Sequence, residues 1–328
     1  MKAKKKKVGV GDWAKITEEW VESNRRNVEV LNFVVKTYDA LTKVGVATQN
    51  RLKSMGDVTK ETESEFDYLL EGAQFQNGKW KIRGINTLRN NLLTKMKHLL
   101  EAYPLYTEWL RKIPGIGEFL AAKLILLYYF RFVPICKDCG AELVKEPKGE
   151  DQEEGRNGGG NTFVCSGCGK KAKGEGNLSH KVMLKDFQML SGWRHYMGRD
   201  NDPVTGRMRK RARGETMSFS PEGRRITYMI GDQLIKQTPS PYRAYYDKRR
   251  EYRESTHPGP AKKNHRHQMS RNEVSKLLLA HMWMVARHIE GKPITKPWIF
   301  ENEVGGVRHS HVIQPYFWEH GEITWTEE

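Results

Sequence analysis

Four cysteines stand in two matched knuckles, Cys136-Lys-Asp-Cys139-Gly140 and Cys165-Ser-Gly-Cys168-Gly169, with 25 residues between them. Two residues between ligands let both sulfurs of a knuckle point at one ion, and a trailing glycine relieves the tight turn so that backbone amides can face the thiolates. Four thiolates in a tetrahedral array form the closed site of a structural zinc ion, so Cys136, Cys139, Cys165 and Cys168 are expected to bind Zn²⁺ for folding and not for catalysis. The competing chemistry, two disulfides, needs an oxidising compartment. The chain begins with a lysine run, Met1 to Lys7, and no apolar stretch follows it to make a signal peptide, so a cytoplasmic protein is expected, nucleoid-associated in a prokaryotic host. The segment from Lys145 to Gly160 is too polar to pack and is expected at the tip of a hairpin, within a zinc ribbon over 134–176.

Just upstream lies a second patterned segment, Trp109-Leu-Arg-Lys-Ile-Pro-Gly-Ile-Gly-Glu-Phe-Leu-Ala-Ala-Lys-Leu124. Its centre has the spacing of a helix-hairpin-helix. Pro114 ends a first helix, Gly115 and Gly117 permit a tight turn, Ile116 fills the gap between the helices, and Ala121 lets them approach. The first N–H groups of the second helix lack intrahelical partners, so they can hold a nucleic-acid phosphate without reading a base. Lys112 and Lys123 are expected to add charge to that contact. The plain alternative is a packing joint between two helices.

Charge points to the same partner. The 328 residues carry 56 Lys+Arg against 40 Asp+Glu, a formal net charge of +16. Residues 194–276 hold 20 of the basic and 9 of the acidic residues, a net +11. Three clusters make up this excess: Arg207, Arg209, Lys210, Arg211 and Arg213; then Lys248, Arg249 and Arg250; then Lys262, Lys263, His265, Arg266 and His267. Tyr242, Tyr245, Tyr246 and Tyr252 lie among them. A single basic run is most simply a solvated face, but three clusters interleaved with aromatic rings suit a phosphate track flanked by stacking surfaces. The lysines of residues 1–12 are expected to form a disordered arm that adds non-specific affinity. No stretch approaches the ~20 apolar residues of a membrane helix, and no amphipathic basic helix is evident, so nucleic acid is favoured over membrane.

The elements that must position these groups read as mainly α. Apolar residues from Trp13 to Leu41 recur at three- and four-residue steps, broken near Ser23-Asn24, which predicts one or two helices. Ile85, Leu88, Leu92, Met96 and Leu99 predict a helix with a narrow, coiled-coil-like seam. Ser220-Pro221 reads as an N-cap with proline at the first helical position, and Ile226, Met229, Ile230 and Leu234 as the buried face behind it. Ser270 to Glu273 has capping-box spacing, opening a last helix through Val274, Leu278, His281, Val285 and Ile289 that Gly291 and Pro293 stop. The expected fold is thus a helical domain containing a helix-hairpin-helix, with an inserted small β zinc ribbon and an N-terminal helical, coiled-coil-like region. Its parts are an arm (1–12), N-terminal helices (13–103), the hairpin (104–133), the ribbon (134–176), a basic helical domain (177–296) and an aromatic tail (297–328).

The order of seam helix, Ile-Pro-Gly-Ile-Gly hairpin and the segment Phe219-Ser-Pro-Glu-Gly-Arg-Arg-Ile-Thr-Tyr-Met-Ile230 resembles the C-terminal transposase domain of the insertion-sequence 110/116/902 family. There a segment of type Ile-Ser-Lys-x-Gly-Asn-x-x-Leu-Arg opens a helix after the hairpin, and Phe219, Ser220, Gly223, Arg224 and Ile226 stand at comparable positions. The stretch from Tyr245 to Ile289 is also similar, and the resemblance covers residues 85–295. It implies transposase ancestry, an N-terminal RuvC-like nuclease fold with metal-binding acids, and a nucleophilic serine. This chain departs from the pattern: residues 1–84 are too short and too helical for the nuclease fold. The segment from Val204 to Gly214 has no serine, and Thr205-Gly206 matches only loosely. Ser220 reads as a helix cap, and Ser218 has no identifiable base to activate it. The ribbon is an insertion relative to the family. No catalytic residue is assigned, and Mg²⁺ is expected only if the protein is catalytic.

Three smaller groups complete the reading. His257, His265 and His267 could bind a metal but in so basic a stretch more simply meet phosphate or solvent; His281 reads as a hydrogen-bonded core histidine; Glu61, Glu63, Glu65 and Asp67 read as an exposed acidic face. The function expected is binding of DNA, branched DNA included, by a transposase-related protein, with structured RNA and a second copy of the chain as further partners. The rival readings are an active serine-type transposase working with a partner subunit or guide RNA, and an RNA-binding zinc-ribbon module.

Overall fold

The computed structural model describes residues 13–54, 70–74, 81–145, 162–173, 178–199, 219–296 and 312–326. The order of elements is α1 (Glu18–Ser54), β1 (Gly72–Gln74), β2 (Lys81–Arg83), α2 (Ile85–Leu100), α3 (Pro104–Glu108), α4 (Glu118–Tyr129), β3 (Phe130–Ile135), β4 (Leu143–Lys145), β5 (Thr162–Cys165), β6 (Lys171–Lys173), β7 (Ser179–Leu184), α5 (Leu190–Tyr196), α6 (Pro221–Leu234), α7 (Pro241–Thr256) and α8 (Lys263–Glu290). The fold is mainly helical with small antiparallel sheets. No helix among the described residues is long and apolar enough to cross a membrane. The chain divides into two compact units, one drawn from Met1–Lys15, Val30–Tyr128 and Phe187–Glu328, the other from Ile16–Glu29 and Tyr129–Asp186.

The larger unit is organised around α8, which is buried on nearly every side at Val274, Leu278, Leu279, Met282, Trp283, Val285, Ala286 and Ile289. Helices α3, α5, α6 and α7 pack against it. It begins seven residues before the predicted capping box. Ser270 is fully buried inside the helix, and Glu273 reaches to Arg249 and Arg253 of α7 where the sequence reading had it capping Ser270. The turn feeding α8 is held instead by Arg266, whose Nη1 donates to the carbonyls of His257 (2.9 Å) and Gly259 (2.7 Å). The helix ends as predicted, with Gly291 at φ 64° and the Lys292 amide bonded to the Arg287 carbonyl. In α6 the Ser220 cap is formed, its Oγ accepting from the Gly223 amide at 3.0 Å, with Ile226, Ile230 and Leu234 buried and Met229 half-buried. Helices α6 and α8 touch at Gly231, where a Cβ would strike Ser275 and Arg271.

Helix α1 is continuous where an interruption was foreseen. Ser23 and Asn24 bond back to the carbonyls of Glu19 and Trp20, both at 2.9 Å, so these polar side chains are satisfied without breaking the helix. The seam of α2 is buried only toward its end, at Met96, Leu99 and Leu100, while Leu88 is exposed. The aromatic tail, described over 312–326, belongs to the core: the Trp109 Nε1 donates to the Tyr316 carbonyl at 2.8 Å, and Trp318 packs on Trp13 at 5.7 Å between ring centroids.

The smaller unit contains two sheets. Strands β3 and β7 pair antiparallel from Phe130↔Leu184 to Ile135↔Ser179, and β4, β5 and β6 form a three-stranded antiparallel sheet. A bridge between Ile135 and Glu142 leads from one to the other. The small core here is Cys136, Leu143, Phe163 and Cys165, with Ala141, Ala172 and Leu178 against it.

Candidate metal centre and basic surfaces

The four cysteine sulfurs lie within 4.8 Å of one another, and none is in a disulfide. Cys136 Sγ stands 3.7 Å from Cys168 Sγ, and Cys139 Sγ 3.3 Å from Cys165 Sγ, far beyond the roughly 2.05 Å of a covalent S–S bond. Each knuckle closes on itself: the Gly140 amide bonds the Cys136 carbonyl at 2.9 Å and the Gly169 amide the Cys165 carbonyl at 3.1 Å. Both glycines are left-handed, φ 74° and φ 70°, so the turn requires their lack of a Cβ. The ladder pairs Leu143 with Cys165 and so brings the second knuckle beside the first. The Ser166 amide and hydroxyl both donate to the Glu142 carbonyl, tying the two together. The amides of Cys168 and Gly167, each 3.4 Å from Cys165 Sγ, pull that thiol down to about 6, while against the pull of the Ala141 amide the neighbouring Cys165 and Cys168 push Cys139 up to about 12, so Cys165 is the first of this pair to ionise. The cluster can therefore hold a metal ion, and among the described residues it is the one grouping of three or more His, Cys, Asp or Glu side chains with that geometry. His257 and His265 lie 6.1 Å apart between ring centroids, but His267 Nδ1 is bonded to the Tyr246 hydroxyl at 2.7 Å, and among the described residues the three form no metal-ligating group.

The glycine turn is built partly as expected. Ile116, Ala121 and Leu124 are buried, and Gly115 sits at φ 89°. A Cβ on Gly115 would meet Gln237 Cγ at 3.0 Å and the Gln233 carbonyl oxygen at 3.2 Å, so this turn is seated on the end of α6. Gly117 faces open space. The first arm is shorter than a full helix, being the five-residue α3 followed by a single 3₁₀ turn, Leu110–Lys112. Both lysines have acidic partners. Lys123 is buried and paired with Glu222, and Lys112 is bonded to Glu319 at 2.8 Å, because neighbouring acids from α6 and the tail reach them. Glu118 occupies the first turn of α4, where a bound phosphate would need to approach.

Along α7, Lys248 is exposed. Arg249 and Arg253 share Glu273, and both guanidiniums lie over the Tyr252 ring, 4.7 and 5.4 Å from its centroid. Arg250 donates to the Tyr246 hydroxyl at 3.0 Å. Tyr252 is half exposed, so this surface presents an aromatic ring framed by cations. Lys262, Lys263 and His265 are exposed and Arg266 is buried. Arg207, Arg209, Lys210, Arg211 and Arg213, the polar hairpin tip, Ser218 and the acidic run at Glu61 to Asp67 all lie outside the described residues.

Two groups escaped the sequence reading, Arg199 and Arg271, which are 5% and 2% exposed. Arg271 lies one turn before Val274 and Ser275 on the buried face of α8, a periodicity hidden by placing the helix start at Ser270. His281 is the core histidine expected. It accepts from the Tyr242 hydroxyl at Nδ1 (2.9 Å) and donates from Nε2 to the Ile313 carbonyl (3.0 Å), and burial pushes its pKa down to about 3. Set against known proteins, the chain matches no family model, no curated protein and no solved structure.

Proposed function

We propose that this is a nucleic-acid-binding protein of transposase ancestry that holds DNA through backbone phosphates and carries one structural zinc ion. The observation that carries the reading is the concentration of charge: residues 194–276 supply a net +11 of the chain's +16. Within that stretch, Tyr252 framed by Arg249 and Arg253, with Lys248 beside them, supports contact with a strand by stacking as well as by charge. Lys112 and Lys123 are each paired with an acid of their own, whereas Arg249 and Arg253 share the single Glu273, so α7 keeps a net positive charge that the hairpin lysines do not. Zinc is supported by the spacing of the sulfurs. A tetrahedron with Zn–S of about 2.3 Å has edges of about 3.8 Å, close to the 3.7 Å between Cys136 and Cys168. With four protein ligands its role is to hold the knuckles together. Ser220 is occupied as a helix cap, which weighs against its use as a nucleophile.

The test is binding of the zinc-replete chain to duplex DNA, branched DNA and folded RNA across a salt series with Mg²⁺ present, the products then run on a denaturing gel. Affinity should fall steeply with salt, since each phosphate contact releases counterions, and DNA should stay intact. Stronger binding to RNA would favour an RNA module, and nicked or protein-linked DNA an active transposase. Absence of salt-dependent binding to all three would defeat the reading. For the metal, mass spectrometry under native conditions should find one zinc per chain, lost in Cys136→Ser.

A further inference from the structure

Buried cations without anions are costly, and two of those in the larger unit, Arg199 and Arg271, stand on adjoining elements, Arg199 reaching the residue next to Arg271. Arg199, one turn beyond α5, is 5% exposed; its Nη1 donates to Asn272 Oδ1 at 3.1 Å, while its Nε and Nη2 are buried with no hydrogen-bond partner. Arg271, the residue before Asn272 on α8, is 2% exposed; its Nη2 donates to Gln268, its guanidinium lies 3.8 Å from the Tyr228 ring centroid, and its Nε is likewise unpartnered. Neither guanidinium meets a carboxylate among the described residues. Arg224 of α6 is near enough to repel Arg199, and Gly198, at φ 64°, lets the chain close against it, since a Cβ there would meet Arg224 Cβ at 3.0 Å and Phe219 at 3.1 Å. Burial, then repulsion from Arg224 and Arg271, brings Arg199 down to about 10, an unusual value for a guanidinium.

An isolated buried charge is far less stable than one with a counter-ion, and like charges held together raise the cost further. Fixed donors on adjoining elements, with N–H groups left over, form what a tetrahedral oxyanion satisfies. We infer that Arg199 and Arg271 form the floor of a phosphate-binding site where the end of α5 meets α6 and α8. Tyr228, half exposed and stacked on Arg271, marks its open side and offers a ring to whatever the phosphate carries. A backbone phosphate of nucleic acid and free inorganic phosphate share this chemistry. The first source rests on the function proposed above; the site itself does not.

The experiment uses the full chain and two probes, inorganic phosphate and a short single-stranded oligonucleotide. Phosphate at millimolar concentration should raise Tm relative to chloride of equal ionic strength by about 3 °C or more. Arg199→Gln and Arg271→Gln should each abolish that rise, whereas Arg225→Gln, an exposed change on α6, should keep it. In chloride alone the two glutamine variants should melt at or above the wild-type temperature, because each removes an unpaired buried cation. Oligonucleotide affinity should drop about tenfold in each, consistent with loss of one charge-assisted contact. A phosphate shift with oligonucleotide binding unchanged in the variants would keep the site and assign it to free phosphate. The same shift in a wild type that binds no nucleic acid would keep the site and reject the proposed function. No phosphate shift in the wild type overturns the inference without recourse to any variant, as does a steep loss of Tm for both glutamine variants in chloride.

Discussion

His281 shows how one residue can govern acid stability. Its ring is wholly buried between the Tyr242 hydroxyl and the Ile313 carbonyl, and its pKa in the fold is about 3 against 6.5 when exposed. Because the folded value is depressed, the unfolded chain takes up the proton first as pH falls below about 6.5, so the neutral imidazole stabilises the fold at neutral pH and this advantage is lost on acidification. The slope from this group approaches about 1.4 kcal/mol per pH unit between pH 6 and 4. Denaturant unfolding at several pH values should show it, and His281→Gln should flatten the curve in that window while lowering stability at pH 7. At this scale the sequence was informative where chemistry is local: the cysteine knuckles and the histidine on an apolar helix face could both be read from spacing. Lys123 could not, because its partner Glu222 is remote in sequence and only packing brings them together.

Elements tell a similar story through their ends. The α6 cap and the α8 stop were legible because a cap needs only a few neighbouring residues, as at Ser220 with Gly223 and at Gly291. The start of α8 was misread, since a serine followed three residues later by glutamate also occurs inside a helix when tertiary partners claim the glutamate, as Arg249 and Arg253 do here. The glycine turn before α4 separates two roles that sequence alone treats as one. Gly115→Ala should destabilise by about 1–3 kcal/mol, from left-handed strain, and its new methyl would also press on Gln233 and Gln237. Gly117→Ala should change stability by less than about 0.5 kcal/mol, as expected of a surface change, because a Cβ there meets nothing within 4 Å. Urea unfolding of both variants checks the contrast, and comparable losses at the two sites would contradict the seating of the turn on α6.

Across the molecule, the least legible feature was the tail. Over its described residues, 312–326, it forms neither helix nor strand, and the aromatic residues there are spaced to suit the surface they cover. Tyr316 packs edge-on to Tyr242 at 5.0 Å, Trp318 lies against Trp13, and His320 bonds Glu108 at 3.2 Å. Deleting residues 312–328 should uncover Trp109, Tyr242 and His281 together, lowering the urea midpoint markedly and broadening the transition; an unchanged midpoint would mean that the tail adds nothing to the core. In the smaller unit the ladder fixes Leu143 opposite Cys165 and Lys145 opposite Phe163, so the geometry of the four sulfurs depends on where the strands pair and not on the length of chain between them. Closing a loop costs only about 0.6 kcal/mol more for each doubling of its length. An insertion between Lys145 and Thr162 should therefore leave the strand pairing, and with it the spacing of the four cysteines, unchanged.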